Sequence, residues 1–213
     1  MDKTKTWSNI KNIFIQSYRW RNQNLSDKDH LSKFTVFSVF NIILFISSII
    51  IVLFVKKFNE AVLDSILTFT SIFATLIIPV LILVYEKFAN NPNQNLGLVE
   101  QKSKFAKDRF ELYKNFTNRF IFTTLENVFI ATTLITAIIL YKSFLSTYLS
   151  LDILDYSFDA DMGKNSILLF LKLLLISLAK TLFTMLLMKF VWFLFYSIGA
   201  LGDFFTDSLN ESK

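Results

Sequence analysis

The sequence predicts an all-α integral membrane protein with four transmembrane helices, an N-terminal interfacial helix and a cytoplasmic helical extension. Four apolar stretches, 34–55, 66–85, 120–141 and 166–197, each reach the roughly 20 residues that cross a hydrocarbon core about 30 Å thick. Hydrophobic residues make up 53% of the 213, 25 of them Phe, so no sizeable soluble domain fits beside the spans. Lys and Arg concentrate in two segments, seven in 1–33 and seven in 86–119, against two in each of the remaining loops. Because positive residues are held inside, both termini and the middle loop are expected in the cytoplasm of a bacterial cell, at its inner membrane. A short 56–65 loop and a second, acidic loop near 152–161 then face outward.

The elements follow in order. Residues 1–33 form a polar, basic cytoplasmic segment without the cleavage site of a secretory signal, so the first apolar stretch is expected to be a retained anchor. Within the segment, Trp7, Ile10, Ile13, Phe14 and Tyr18 recur at helical spacing with Lys11, Arg19 and Arg21 elsewhere, the pattern of a helix lying in the membrane surface. Such a helix serves as a lipid-sensing foot, a plain interfacial anchor or a helix packed under the bundle. Trp7, Trp20 and Trp192 all fall on the inferred cytoplasmic side, where amphipathic rings favour the headgroup layer.

Residues 34–85 make the first transmembrane pair, with Pro79 expected to kink the second span. The other proline, Pro92, and all four glycines lie outside the apolar spans or at their ends and read as punctuation between helices. After an Asn-rich turn at 90–97, the cytoplasmic segment 86–119 becomes helical. Phe105, Arg109, Leu112, Phe116 and Phe120 step by three or four residues, a stripe that runs into the third span and needs a partner. Residues 120–198 form the second transmembrane pair with its acidic loop, and 199–213 a cytoplasmic tail.

Charges at membrane depth are costly and mark function, and the first two spans have none. Glu126 in the third span and Lys172, Lys180 and Lys189 in the fourth are therefore the informative groups. Lys172 and Lys189 are placed to snorkel to opposite interfaces. Counting from the outer ends sets Glu126 and Lys180 at similar depth, as an intramembrane ion pair within or between subunits, or with Lys180 lining a pore. No Gly-x-x-x-Gly occurs, while Ser71 with Thr75, Thr132 with Thr136 and Ser177 with Thr181 sit one turn apart and can hydrogen-bond across helices or line a wet path. The 3-4 spacing of Leu168, Leu171, Leu175, Leu178, Leu182 and Met185 is that of a coiled-coil seam, but so apolar a helix shows it almost by default.

Catalysis is not expected. There is no Cys, the single His30 lies outside the spans beside Asp29, and no glycine loop could cradle phosphate. No cofactor or metal is expected either: Asp159, Asp161, Gly163 and Asn165 lack the glycine position and bidentate Glu of a calcium loop. Inward positive bias and anionic lipid account for the basic segments without direct nucleic-acid binding.

The whole-chain layout resembles the membrane subunit (KwaA) of the Kiwa anti-phage defence system. It has a basic lead-in around Tyr18-Arg19-Trp20-Arg21, two uncharged spans, a helical stretch at 99–119 and a long final helix. The resemblance covers most of the chain and is carried by size, hydropathy and layout. It implies a homo-oligomer, expected as a tetramer, that senses infection at the envelope and scaffolds a cytosolic partner resembling KwaB. Residues 1–33 and 86–119, with Phe105, Arg109, Leu112 and Phe116, would be the docking surface. Two other functions stay open: a pore-forming effector of abortive infection, and a membrane immunity or exclusion protein.

Overall fold

A computed structural model describes residues 3–21, 38–55, 58–89, 104–145 and 164–210, and the elements in them are helical. Helix α1 (Lys3–Arg21) contains no acidic residue and carries Arg19 and Arg21 in its last turn, where cations complement the carbonyl end of a helix. Helix α2 (Val39–Phe54) starts at Ser38, whose Oγ accepts the Asn41 N–H at 3.3 Å and satisfies one of the orphan donors of the first turn. Helix α3 (Glu60–Ala89) starts in the same way, with Asn59 Oδ1 accepting the Ala61 N–H at 3.0 Å, and it continues through Pro79.

Helix α4 (Lys104–Leu140) is unbroken over 37 residues and passes into a π-helical turn at Tyr141–Leu145. The extension of the third apolar stretch as a helical rod is thus present in the backbone. Helix α5 (Lys164–Asn210) runs for 47 residues. Here the expectation for the glycines is corrected: Gly199 and Gly202 lie inside α5, neither adopts a positive φ, and the helix ends eight residues beyond the second. A glycine weakens a helix by about 1 kcal/mol but does not forbid it.

Among the described residues three helices are long and apolar enough to cross a membrane, over Glu60–Glu86, Lys114–Ser143 and Ile167–Gly199. The protein is a multi-span membrane protein. Helix α2 is equally apolar but has 16 residues, about 24 Å of rise, so its length alone does not qualify it as a fourth span. Large aliphatic side chains face outward along these helices, Leu76, Leu83 and Leu175 among them, a surface suited to lipid and not to water.

The chain divides into two compact units. Unit 1 contains residues 1–35, 73–129 and 192–213, and unit 2 contains 36–72 and 130–191. In unit 2 the interior is built from Leu44, Val52, Leu63, Ile130, Leu134, Ile138, Leu173 and Phe190. Phe58 meets Phe183 edge-on at 5.6 Å and Phe69 meets Phe190 at 6.0 Å, so α3 and α5 advance in the same direction along their contact. An ion pair from Lys142 to Asp64 joins the end of α4 to the first turns of α3, as antiparallel neighbours require. In unit 1 the buried apolar side chains are few, Phe120 and Phe193, and the remainder of the described interior is polar.

Candidate functional site

A hydroxyl inside an apolar helix can satisfy itself by donating to the carbonyl one turn earlier, and several hydroxyls of unit 2 do so. Ser48 donates to Leu44 O at 2.7 Å, Thr70 to Ile66 O at 2.7 Å, Thr181 to Ser177 O at 2.9 Å and Thr184 to Lys180 O at 2.9 Å. Thr136 likewise donates to Thr132 O at 2.9 Å. The pairs Thr132/Thr136 and Ser177/Thr181 therefore close a bond on their own helix.

Unit 1 differs, because its polar side chains reach across helices. The centre is Glu126 on α4, only 2% exposed. Its Oε2 accepts a hydrogen bond of 2.6 Å from Ser17 Oγ and faces Arg21 Nη1 at 3.4 Å, both from the last two turns of α1. Phe14 meets Phe129 edge-on at 5.2 Å, so the contact residue on α4 falls as that on α1 rises and the two helices cross in opposite directions. Arg119, two turns before Glu126, donates from Nη2 to the Arg21 carbonyl at 3.1 Å and so caps the end of α1. Helix α5 supplies aromatic faces to both cations: Phe193 lies 4.4 Å from the Arg21 guanidinium carbon and Tyr196 lies 4.9 Å from that of Arg119. Thr124 and Ser197 face each other at 3.5 Å.

Burial pushes the Arg21 guanidinium below the usual arginine range, while the charge and hydrogen bond of Glu126 push back. Each ion thus depends on the other. An unpaired charge in such a place costs several kcal/mol, on the order of 3–5 when one partner is removed. The arrangement fixes α1 to α4 by a polar latch in a region where apolar contacts would not select one register.

Not every polar group here is matched. Asn127, fully buried beside Glu126, has no hydrogen-bond partner for either amide atom, and the buried Thr123 hydroxyl and Tyr196 hydroxyl have none.

Of the residues singled out by sequence, Glu126 is the hub of this cluster. Its described cation, Arg21, comes from the N-terminal helix. Lys180 belongs to unit 2, where it is 4% exposed on α5 beside the buried Thr181 and Thr184. Trp7 is 72% exposed, Trp192 is exposed and Trp20 is half-buried. Phe116 is half-buried and stacks on Phe120 with ring centres 6.1 Å apart. Phe105, Arg109 and Leu112 lie on the helical backbone of α4, and their side chains fall outside the described residues, as do His30, the Asn-rich 90–97 segment and the acidic segment 152–161.

Ser17, Arg21 and Asn127 were not singled out for this role, yet two of them carry a signal. Arg21 stands seven residues after Phe14, two helical turns, and so belongs to the apolar face and not the polar one. Ser17 is three residues after Phe14 on the same side. No family model matches the chain, and no curated protein or solved structure matches it.

Proposed function

We propose that the protein is an oligomeric component of the bacterial inner membrane that senses infection at the envelope and scaffolds a cytosolic partner in anti-phage defence. The observation that carries this reading is α4. It is one unbroken helix of 37 residues, apolar enough toward its C-terminal end to cross a membrane, whose first turns hold Lys104, Lys107, Asp108 and Arg109. With α1 latched to it through Glu126, a disturbance in the span is transmitted to the segment bearing Phe105, Arg109, Leu112 and Phe116. That stripe is the docking face for a cytosolic protein, and the resemblance to the Kiwa membrane subunit supplies the defence setting and a KwaB-like partner.

In this reading the chain crosses four times with both termini in the cytoplasm. The short α2 is accommodated by local thinning of the bilayer, at a fraction of a kcal/mol per Å. The amphipathic α1 meets the headgroup layer with Trp7, Trp20 and Trp192 nearby. Subunits associate as a tetramer. A pore-forming effector is the second reading, favoured by Lys180 buried beside Thr181 and Thr184 on α5.

The test is phage challenge of cells expressing the full chain together with the soluble protein encoded beside it. Protection and co-purification of the two proteins are expected, and Leu112→Asp should abolish both while the chain stays in the membrane. Protection that survives Leu112→Asp, or no protection at all, would overturn the scaffold reading. Dye release from vesicles holding the purified oligomer would favour the pore.

A further inference from the structure

The unmatched polar groups of unit 1 are not scattered. Thr123 and Asn127 are one turn apart on α4, both with no exposed surface, and three of their side-chain polar atoms lack a partner. Taking about 100° per residue from Glu126, which faces α1, Thr123 lies at about 60°, Asn127 at about 100° and Thr124, which faces α5, at about 160°. The two residues therefore point into the wedge between the α1 contact and the α5 contact. Thr123 also breaks the habit of the other buried threonines bonded within their own helices, Thr70, Thr181 and Thr184, whose hydroxyls turn back on a carbonyl.

We infer that the Thr123–Asn127 face of α4 binds internal water beside Glu126, and that this water is a working part of the latch holding α1. Leaving a buried polar group without a partner is costly, and native interiors resolve this with ordered water that makes two to four hydrogen bonds. The donor set selects water over a metal cation. Asn127 offers an acceptor in Oδ1 and a donor in Nδ2, and Thr123 offers both in one atom. A cation would use the oxygens and strand the amide donor, and Arg21 already places a positive charge on the same carboxylate. Water serves every one of these atoms and can donate to Glu126 as well. The carboxylate is then held from two sides, by Ser17 and Arg21 of α1 and by solvent anchored on its own helix. Chains of such bonds strengthen one another in a low-dielectric interior. The inference is independent of the defence function.

Unfolding and amide exchange of the full chain in lipid nanodiscs decide the matter, with a map of the same sample fine enough to show ordered solvent. Thr123→Val and Asn127→Leu are expected to lower the melting temperature and to speed exchange of the α1 amides from Ile13 to Arg21 by roughly tenfold, the loss of one hydrogen bond to a charged group. Thr123→Ser, which keeps the hydroxyl, should leave both near wild type. A solvent peak should stand within hydrogen-bonding distance of Thr123 Oγ1 and an Asn127 amide atom. If the groups are merely orphaned, apolar replacement removes a penalty. A raised melting temperature, or α1 exchange unchanged in Thr123→Val, would overturn the proposal, as would a map that resolves waters elsewhere and none here.

Discussion

At the scale of single residues the protein is governed by one buried pair. Arg21 and Glu126 are both largely removed from solvent, so neither is stable without the other. Arg21→Met should cost about 3–5 kcal/mol, because Glu126 is left buried with its charge uncompensated. The double variant Arg21→Met/Glu126→Met should regain most of that loss, since the penalty lies in the lone ion and not in the missing bond. Unfolding of the two variants in detergent, followed by α1 amide exchange, checks this; a double variant no better than the single one would show that packing and not charge sets the cost. By contrast, the ion pair between Lys142 and Asp64 is well exposed, and Lys142→Met should change stability by less than about 1 kcal/mol. Glu126 stood out in the sequence because a carboxylate within an apolar run is costly to bury. Its Arg21 partner did not, because it lies 105 positions away in the chain and nothing local links α1 to α4.

Helices begin here on short-range chemistry that the apolar stretches, which start at 34 and 66, did not locate: α2 begins at Val39 and α3 at Glu60. Ser38 and Asn59 cap α2 and α3 through their side-chain oxygens, and Ser38→Ala or Asn59→Ala should each cost about 1 kcal/mol in unfolding measurements. Gly199 and Gly202 mislead as stop signals. Neither needs a left-handed backbone, and a Cβ at either would meet nothing within 4 Å, so Gly199→Ala and Gly202→Ala should each stabilise α5 by about 0.5–1 kcal/mol. Loss of stability in those variants, read by thermal unfolding, would mean that the helix breaks there after all. The amphipathic pattern of α1 read as a helix, with packing under the bundle as one of its alternatives, but it did not say which half packs. Ile13 through Arg21 are covered to some degree, while Lys5, Trp7, Ser8, Asn9, Lys11 and Asn12 are exposed, so only its second half is held by the bundle.

For the whole molecule the open quantity is the number of crossings, and α2 decides it. With α2 across the bilayer, residues 9 and 95 face the same compartment; with α2 outside it, they face opposite ones. A chain free of cysteine is ready for the test. Single variants Asn9→Cys and Asn95→Cys should both label from the cytoplasmic side only, and labelling from opposite sides would leave three crossings. Length fixes three of the helices as candidate spans, whereas a 16-residue helix sits at the margin, where lipid thickness has as much say as sequence.

Composition and period by themselves determined that this chain is helical and lives in a membrane, because uninterrupted apolar stretches of about 20 residues satisfy their own backbone in lipid as helices. They also singled out Glu126, since ionised groups at depth are costly. Only the tertiary structure decided what surrounds it: Ser17 and Arg21 from α1, the ring of Phe193 from α5, and a wedge of unmatched polar atoms at Thr123 and Asn127. The physical reason is range. Solvent preference acts on each residue where it stands, while the partners of a buried charge are chosen by which distant helices come to pack against it.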